Sequence, residues 1–145
     1  MEPKRDPIQV LVVEDSPCDL ALLKRALKRS PIPYTLFVAE TGEQALEMLS
    51  HQAECSQPPV QFVLLDWHLP RMHGRDVLNA IKDDQRMRHI PVVVFSSSDH
   101  PQDVEEAYRL HANCYVTKPI EWPDYLRAVD EVDHFWFKHA RLPYA

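Results

Sequence analysis

The sequence predicts an α/β fold, a doubly wound five-stranded parallel sheet with helices on both faces and strand order 2-1-3-4-5. Three observations predict it. Five short apolar runs, rich in β-branched residues, alternate with five segments of helical periodicity, the pattern of a parallel sheet covered on both sides. Right-handed crossovers leave few ways to wind such a chain. Finally, four of the five runs end on an acid, a hydroxyl or an amine: Glu14-Asp15, Asp66, Ser96 and Lys118-Pro119.

Ile8 to Val13 is the first run, a β-branched stretch suited to a buried strand. Pro17 then opens a helix at its permitted first turn, with Leu20, Leu23 and Leu27 as the apolar stripe. Ser30-Pro31-Ile32-Pro33 stops it, and Tyr34 to Val38 is the second strand. Thr41-Gly42-Glu43-Gln44 reads as a capping box, opening a helix that buries Ala45, Leu46 and Leu49. A loop longer than such units need closes at Gln57-Pro58-Pro59. Phe62 to Asp66 is the third strand. The turn Leu69 to Gly74 leads into a helix with Val77, Leu78 and Ile81 inward. Pro91 precedes the fourth strand, Val92 to Ser96, and Pro101 starts a helix carrying Val104, Ala107 and Tyr108 on one side. Tyr115 to Thr117 is the last strand, and the last helix runs from Trp122.

With 145 residues, one domain is expected over 1–145, with its core from about 8 to 138. The net charge of −6 argues against a nucleic-acid partner, since no basic excess exists to neutralise phosphates. The basic clusters Lys24-Arg25 and Lys28-Arg29 read as the solvated face of a helix. Cys18, Cys55 and Cys114 form no C-x-x-C pair and read as reduced packing thiols. The eight histidines show no metal-ligand spacing. The N-terminus lacks the apolar stretch of a signal peptide, and no run approaches the length of a membrane span. The expectation is a cytoplasmic protein without membrane contact.

The carboxyl ends of parallel strands form the crevice where such sheets place their chemistry. Acids, a hydroxyl and an amine gathered there can hold a metal ion or a phosphoryl group. Taken singly, the features are ambiguous: Glu14-Asp15 would serve any helix N-terminus, Lys118 could be a surface lysine and Tyr115 a core aromatic.

Taken together, the motifs resemble the response-regulator receiver domain of two-component signalling. The matching residues are Glu14-Asp15, the run Leu64 to Gly74, Ser96 and Lys118-Pro119, and the likeness covers nearly the whole chain. It implies the flavodoxin-like fold and a role as a phosphorylation switch. Asp66 would be the phosphoacceptor, taking the group from a phosphohistidine on a sensor histidine kinase. Glu14, Asp15, Asp66 and the backbone carbonyl of His68 would hold Mg²⁺, with Mn²⁺ as a possible substitute. Lys118 would pair with the phosphoryl oxygens, aimed by a cis bond at Pro119. Ser96 would swing onto the phosphoryl group and Tyr115 would follow it inward. His68 and Ser98, each two residues past a site residue, would tune the phosphoryl lifetime.

Two other classes compete. An aspartate-nucleophile phosphatase needs an acid two residues after the nucleophile, and His68 stands there. A pseudo-receiver, a binding module that takes no phosphate, would usually have lost an acid or the lysine, and both are retained.

The expectation is a stand-alone receiver with no output domain after the last helix, whose output is a protein contact. Tyr125, Val129, Val132 and Trp136 form the stripe expected to face the sheet. Phe135, Trp136 and Phe137 are consecutive, so about 100° separates neighbours round an α-helix and at least one must face outward. Tyr125, Phe135, Trp136 and Phe137 are thus the candidates for a homodimer contact through the last helix and tail. The aromatic tail and the long third-strand loop resemble the small regulators of phytochrome-type histidine kinases.

Overall fold

A computed structural model describes residues 5–54 and 59–144. Cys55 and the loop motif at Gln57-Pro58 lie outside them. The strands are β1 (Ile8–Val13), β2 (Tyr34–Ala39), β3 (Phe62–Leu65), β4 (Val92–Ser96) and β5 (Cys114–Thr117). The helices are α1 (Pro17–Leu27), α2 (Gly42–Glu54), α3 (Gly74–Asp83), α4 (Pro101–Arg109) and α5 (Trp122–Val132). A π-helical turn, Asp133–His139, continues α5. The strands are all parallel, in the order β2-β1-β3-β4-β5, as expected from the alternation.

Side chains alternate across each strand, and the two faces bury different sets. Leu11, Val13, Val63, Leu65 and Val94 face Ala45, Leu49, Val77, Leu78 and Ile81 of α2 and α3. Val10, Val12, Phe62, Leu64 and Phe95 face Leu23 and Leu27 of α1 and Tyr125 and Val129 of α5. The continuous Val/Leu runs of β1 and β3 therefore reflect burial on both faces. The basic face of α1 is solvated but also ties α1 to α5: Arg25 lies over the Trp122 ring at 5.1 Å, and Arg29 meets Asp130 at 3.1 Å.

The helix starts follow their sequence signals. Ser16 accepts from the Asp19 N–H ahead of Pro17, and Thr41 from the Gln44 N–H. The Gln44 side chain accepts from the backbone N–H of Glu40 instead of that of Thr41, a shifted form of the expected box. Tyr108, assigned inward by periodicity, is half exposed. Its hydroxyl accepts from the Tyr115 N–H at 3.2 Å, so it covers the edge strand instead of entering the core.

The C-terminal aromatics depart from α-helical phase. Ala140 N–H bonds to Phe135 C=O, an i→i+5 contact of the π turn. The extra residue brings Phe137 into the core at 2% exposure, edge-on to Phe62, while Phe135 is 56% exposed. Trp136 is half buried against Phe62. The expectation that one aromatic must face outward holds for Phe135. Phe137 and Tyr125, however, are buried within the chain and are not surface candidates for a dimer.

Candidate functional site

The site residues sit one residue past their strands yet remain in the sheet's hydrogen-bond ladder. Glu14 N–H bonds to Ala39 C=O at 3.0 Å, Asp66 N–H to Val13 C=O at 3.0 Å, and Lys118 N–H to Ser96 C=O at 2.7 Å. Their side chains therefore project from a rigid frame into the crevice where the winding reverses beside β1.

Glu14, Asp15 and Asp66 converge, each offering one carboxylate oxygen within 4.8 Å of the others. Lys118 Nζ bonds to Glu14 Oε2 at 2.7 Å and lies 3.4 Å from Asp19 Oδ2 and 4.0 Å from Asp66 Oδ1. Burial is the main force on Asp66, and with Glu14 and Asp15 it pushes the carboxyl from 3.8 up to about 7 against the pull of Lys118. Burial opposes the charge on Lys118, but Asp66, Glu14 and Asp19 together outweigh it and hold the amine above its ordinary value. Three hard oxygen donors beside one cation fit a small divalent ion. Such an ion would offset both the burial and the neighbouring negative charge that raise the Asp66 carboxyl.

The loop after Asp66 is held against it. A Cβ on Gly74 would lie 2.5 Å from the Asp66 carbonyl oxygen and 2.7 Å from Trp67 Cα, so only glycine lets α3 start this close. Gly74 N–H also bonds to Trp67 C=O at 2.8 Å. Arg71 in the same loop takes the left-handed conformation, φ 63°, an uncommon choice for a side-chain-bearing residue.

Ser96 is fully buried, and its hydroxyl accepts from the Ser98 N–H at 3.2 Å. Tyr115, half buried, donates its hydroxyl to Ser98 C=O at 2.8 Å. Ser98 Oγ donates to Asp103 Oδ2 at 2.5 Å, and His68 Nε2 meets the same oxygen at 3.1 Å. The Ser98 hydroxyl, followed by His68, holds the Asp103 carboxyl below its usual range.

The acids, the lysine, the buried hydroxyl and the aromatic are thus brought to one end of the sheet, as the strand-end pattern requires. One expectation fails. No cis peptide occurs among the described residues, so the Lys118–Pro119 bond is trans. The trans form is the default even before proline, by roughly 0.5–1 kcal/mol, and Lys118 reaches Glu14 with it. Tyr125, named in the sheet-facing stripe and also among the dimer candidates, lines the cavity under the site with Glu14, Asp19, Asp66 and Lys118. Its hydroxyl is buried and has no hydrogen-bond partner among the described residues. Burial, then Asp19 and Glu14, raise that hydroxyl above its ordinary value.

Sequence reasoning missed Asp19 and Asp103. Both sit at the third position of helices that begin with proline, where an acid is ordinary. Nothing in that pattern separates a helix-capping acid from one that also reaches across to another element.

Residues 10–130 match the family model described as the response regulator receiver domain. The chain is 38% identical over 140 residues to response regulator Rcp1 of Synechocystis sp., covering 96% of this chain and 95% of that protein. Its fold matches the crystal structure of the Mn²⁺-bound form of Rcp1 with a TM-score of 0.87 at 38% identity, over 94% of this chain and 99% of that one. It also matches the phosphorylated cyanobacterial phytochrome response regulator RcpA with a TM-score of 0.88 at 34% identity, over 95% and 99% of the two chains. With the sheet order, the triad of acids and the strand-end lysine already in place, these matches show that the chain belongs to the response-regulator receiver family.

Proposed function

We propose that this regulator is switched by a phosphoryl group carried on Asp66 and supplied by the phosphohistidine of a sensor histidine kinase. The observation that carries the reading is the convergence of Glu14, Asp15 and Asp66 with Lys118 4.0 Å from the acceptor. An Asp66 oxygen forms the new O–P bond as the donor's N–P bond breaks, and the imidazole departs with a proton. Glu14, Asp15 and Asp66 would hold Mg²⁺, with the His68 backbone carbonyl as a further ligand. Bound there, the ion supplies charge neutralisation at phosphorus. The Mn²⁺-bound relative supports a divalent ion and makes Mn²⁺ a fitting substitute.

Lys118 turns from Glu14 toward the phosphoryl oxygens, and the Ser96 hydroxyl leaves the Ser98 N–H to join them. Tyr115, bonded to the same residue, follows, so a charge placed at Asp66 reshapes the α4–β5 surface. His68 and Ser98 flank these moves as tuning positions. The aspartate-nucleophile phosphatase is not favoured, because His68 stands where its acid/base carboxylate would be.

The kinase is of the phytochrome type, supported by the likeness to RcpA, and a cytoplasmic setting goes with that donor. Among the described residues, no helix is long and apolar enough to cross a membrane. Phe135, an exposed ring near the end of the last helix, is the residue that would meet a second copy in a homodimer, with Trp136 beside it.

The test is intact-protein mass spectrometry after incubation with acetyl phosphate, with and without Mg²⁺. One phosphate-sized gain is expected in wild type with Mg²⁺, and none in Asp66→Asn. A gain that persists in Asp66→Asn, or none in wild type with either acetyl phosphate or a phosphorylated histidine kinase, overturns the assignment.

A further inference from the structure

We propose that Asp103 is a latch holding the unphosphorylated conformation, a positioning residue that acts through Ser98 and His68; this rests on the phosphorylation reading above. One carboxylate oxygen joins three separate elements. Asp103 lies in the first turn of α4, Ser98 in the loop after β4 and His68 in the loop after β3, and both partners meet Oδ2, at 2.5 Å and 3.1 Å. His68 stands two residues past the acceptor, and Ser98 two residues past the buried hydroxyl.

Ser98 is the hub of the arrangement. Its N–H is held by Ser96 Oγ at 3.2 Å and its C=O by the Tyr115 hydroxyl at 2.8 Å, while its own hydroxyl is held by Asp103. For Ser96 to turn onto a phosphoryl group it must release the Ser98 N–H. For Tyr115 to turn inward it must release the Ser98 C=O. Both moves need the loop to shift, and the bonds to a charged carboxylate, stronger than neutral ones, oppose that shift. Asp103 thus sets how often the loop visits the conformation that receives the phosphoryl group. A neighbouring pair gives a control. Arg75 and Glu106 also tie α3 to α4, at 3.1 Å, but touch neither Ser98 nor His68.

The experiment measures phosphate uptake from acetyl phosphate in saturating Mg²⁺ by intact mass, for wild type, Asp103→Ala, Ser98→Ala, their double variant and Glu106→Ala. Asp103→Ala and Ser98→Ala should each load about tenfold faster, the worth of one hydrogen bond to a charged group. Because both act on one bond, the double variant should load no faster than the quicker single variant. Mg²⁺ affinity, read by calorimetry, should equal wild type in all of them, and Glu106→Ala should load at the wild-type rate. Single variants no faster than wild type, or a double variant whose gain is the product of the two, overturn the latch. Uptake in wild type with unaltered rates in the variants removes the latch alone. No uptake in wild type from either phosphodonor removes the proposed function and the latch together.

Discussion

Lys118 is bonded to Glu14 and only approaches Asp66: its Nζ stands 2.7 Å from Glu14 Oε2 and 4.0 Å from Asp66 Oδ1. In the unmodified protein the cation neutralises a carboxylate that is 5% exposed. A phosphoryl group arriving on Asp66 competes with Glu14 for it. Lys118→Ala therefore strands a buried charge, at a cost of about 3 kcal/mol. Thermal melts should show the variant well below wild type in EDTA and the gap narrowing in Mg²⁺, which takes over the neutralising role. An equal gap with and without Mg²⁺ would contradict this.

The acceptor also sets a pH dependence. Asp66 titrates near 7 in the folded protein and at its ordinary 3.8 when exposed. Its folded value is raised, so the folded state holds the proton more tightly. The associated stability is present in full below about 4 and is lost as pH rises toward 7 and beyond. In metal-free buffer, the melting temperature of wild type should fall between pH 5 and pH 8 by more than that of Asp66→Asn, which cannot titrate there. Mg²⁺ binding near pH 6 should release protons, visible as a calorimetric enthalpy that changes with the buffer's ionisation heat. A buffer-independent enthalpy would argue against a protonated acceptor.

Gly74 is expected to tolerate no side chain. Gly74→Ala forces a methyl onto the backbone of Asp66 and Trp67, 2.5 Å and 2.7 Å away, and should cost about 1–3 kcal/mol. Urea unfolding measures that loss, and slower phosphate uptake should accompany it because the acceptor's own peptide must move. An unchanged midpoint with unchanged uptake would show that the loop gives way freely.

The tail separates folding from association. Phe137→Asp places a carboxylate among Phe62 and Tyr34 and should unfold or severely destabilise the chain, by about 3–5 kcal/mol or more. Phe135→Asp alters an exposed ring and should leave the melting temperature near wild type. If the proposed homodimer forms, sedimentation velocity should show Phe135→Asp monomeric at concentrations where wild type is dimeric. A dimer unaffected by this change would place the contact elsewhere.

How far the sequence could be read follows from how local each signal is. The apolar runs of β1 and β3 announce burial on both faces, and the acids at their ends lie where a parallel sheet opens, so Glu14, Asp15 and Asp66 could be placed together. Lys118 and Ser96 followed from the same rule. What depends on contacts between distant segments could not be read. Asp103 looks like any acid in a first helical turn, and its bond to Ser98 exists only because two loops come to one end of the sheet. Tyr125 carries an ordinary core periodicity, and nothing in that spacing tells a sheet-facing ring from one whose hydroxyl ends under the acid cluster. The trans bond at Pro119 and the π turn were invisible for a related reason: each involves small energy differences that the surrounding packing decides.

The π turn after α5 acts as a phase shifter. An α-helix advances about 100° per residue, so inserting or removing one residue rotates everything beyond it by roughly that angle. Continued in α phase, the stripe Tyr125, Val129 and Val132 would carry Trp136 to the sheet and turn Phe137 away from it. With the wider turn, Phe137 closes the core and Phe135 is displayed. Drawing the turn back into α phase at unchanged length would therefore change which aromatic the molecule shows to its surroundings without altering a single ring, whereas deleting the one residue between Asp133 and Phe135 would let a plain α-helix keep Phe137 inward. Surface identity at this end of the protein is encoded in the count of residues as much as in their chemistry.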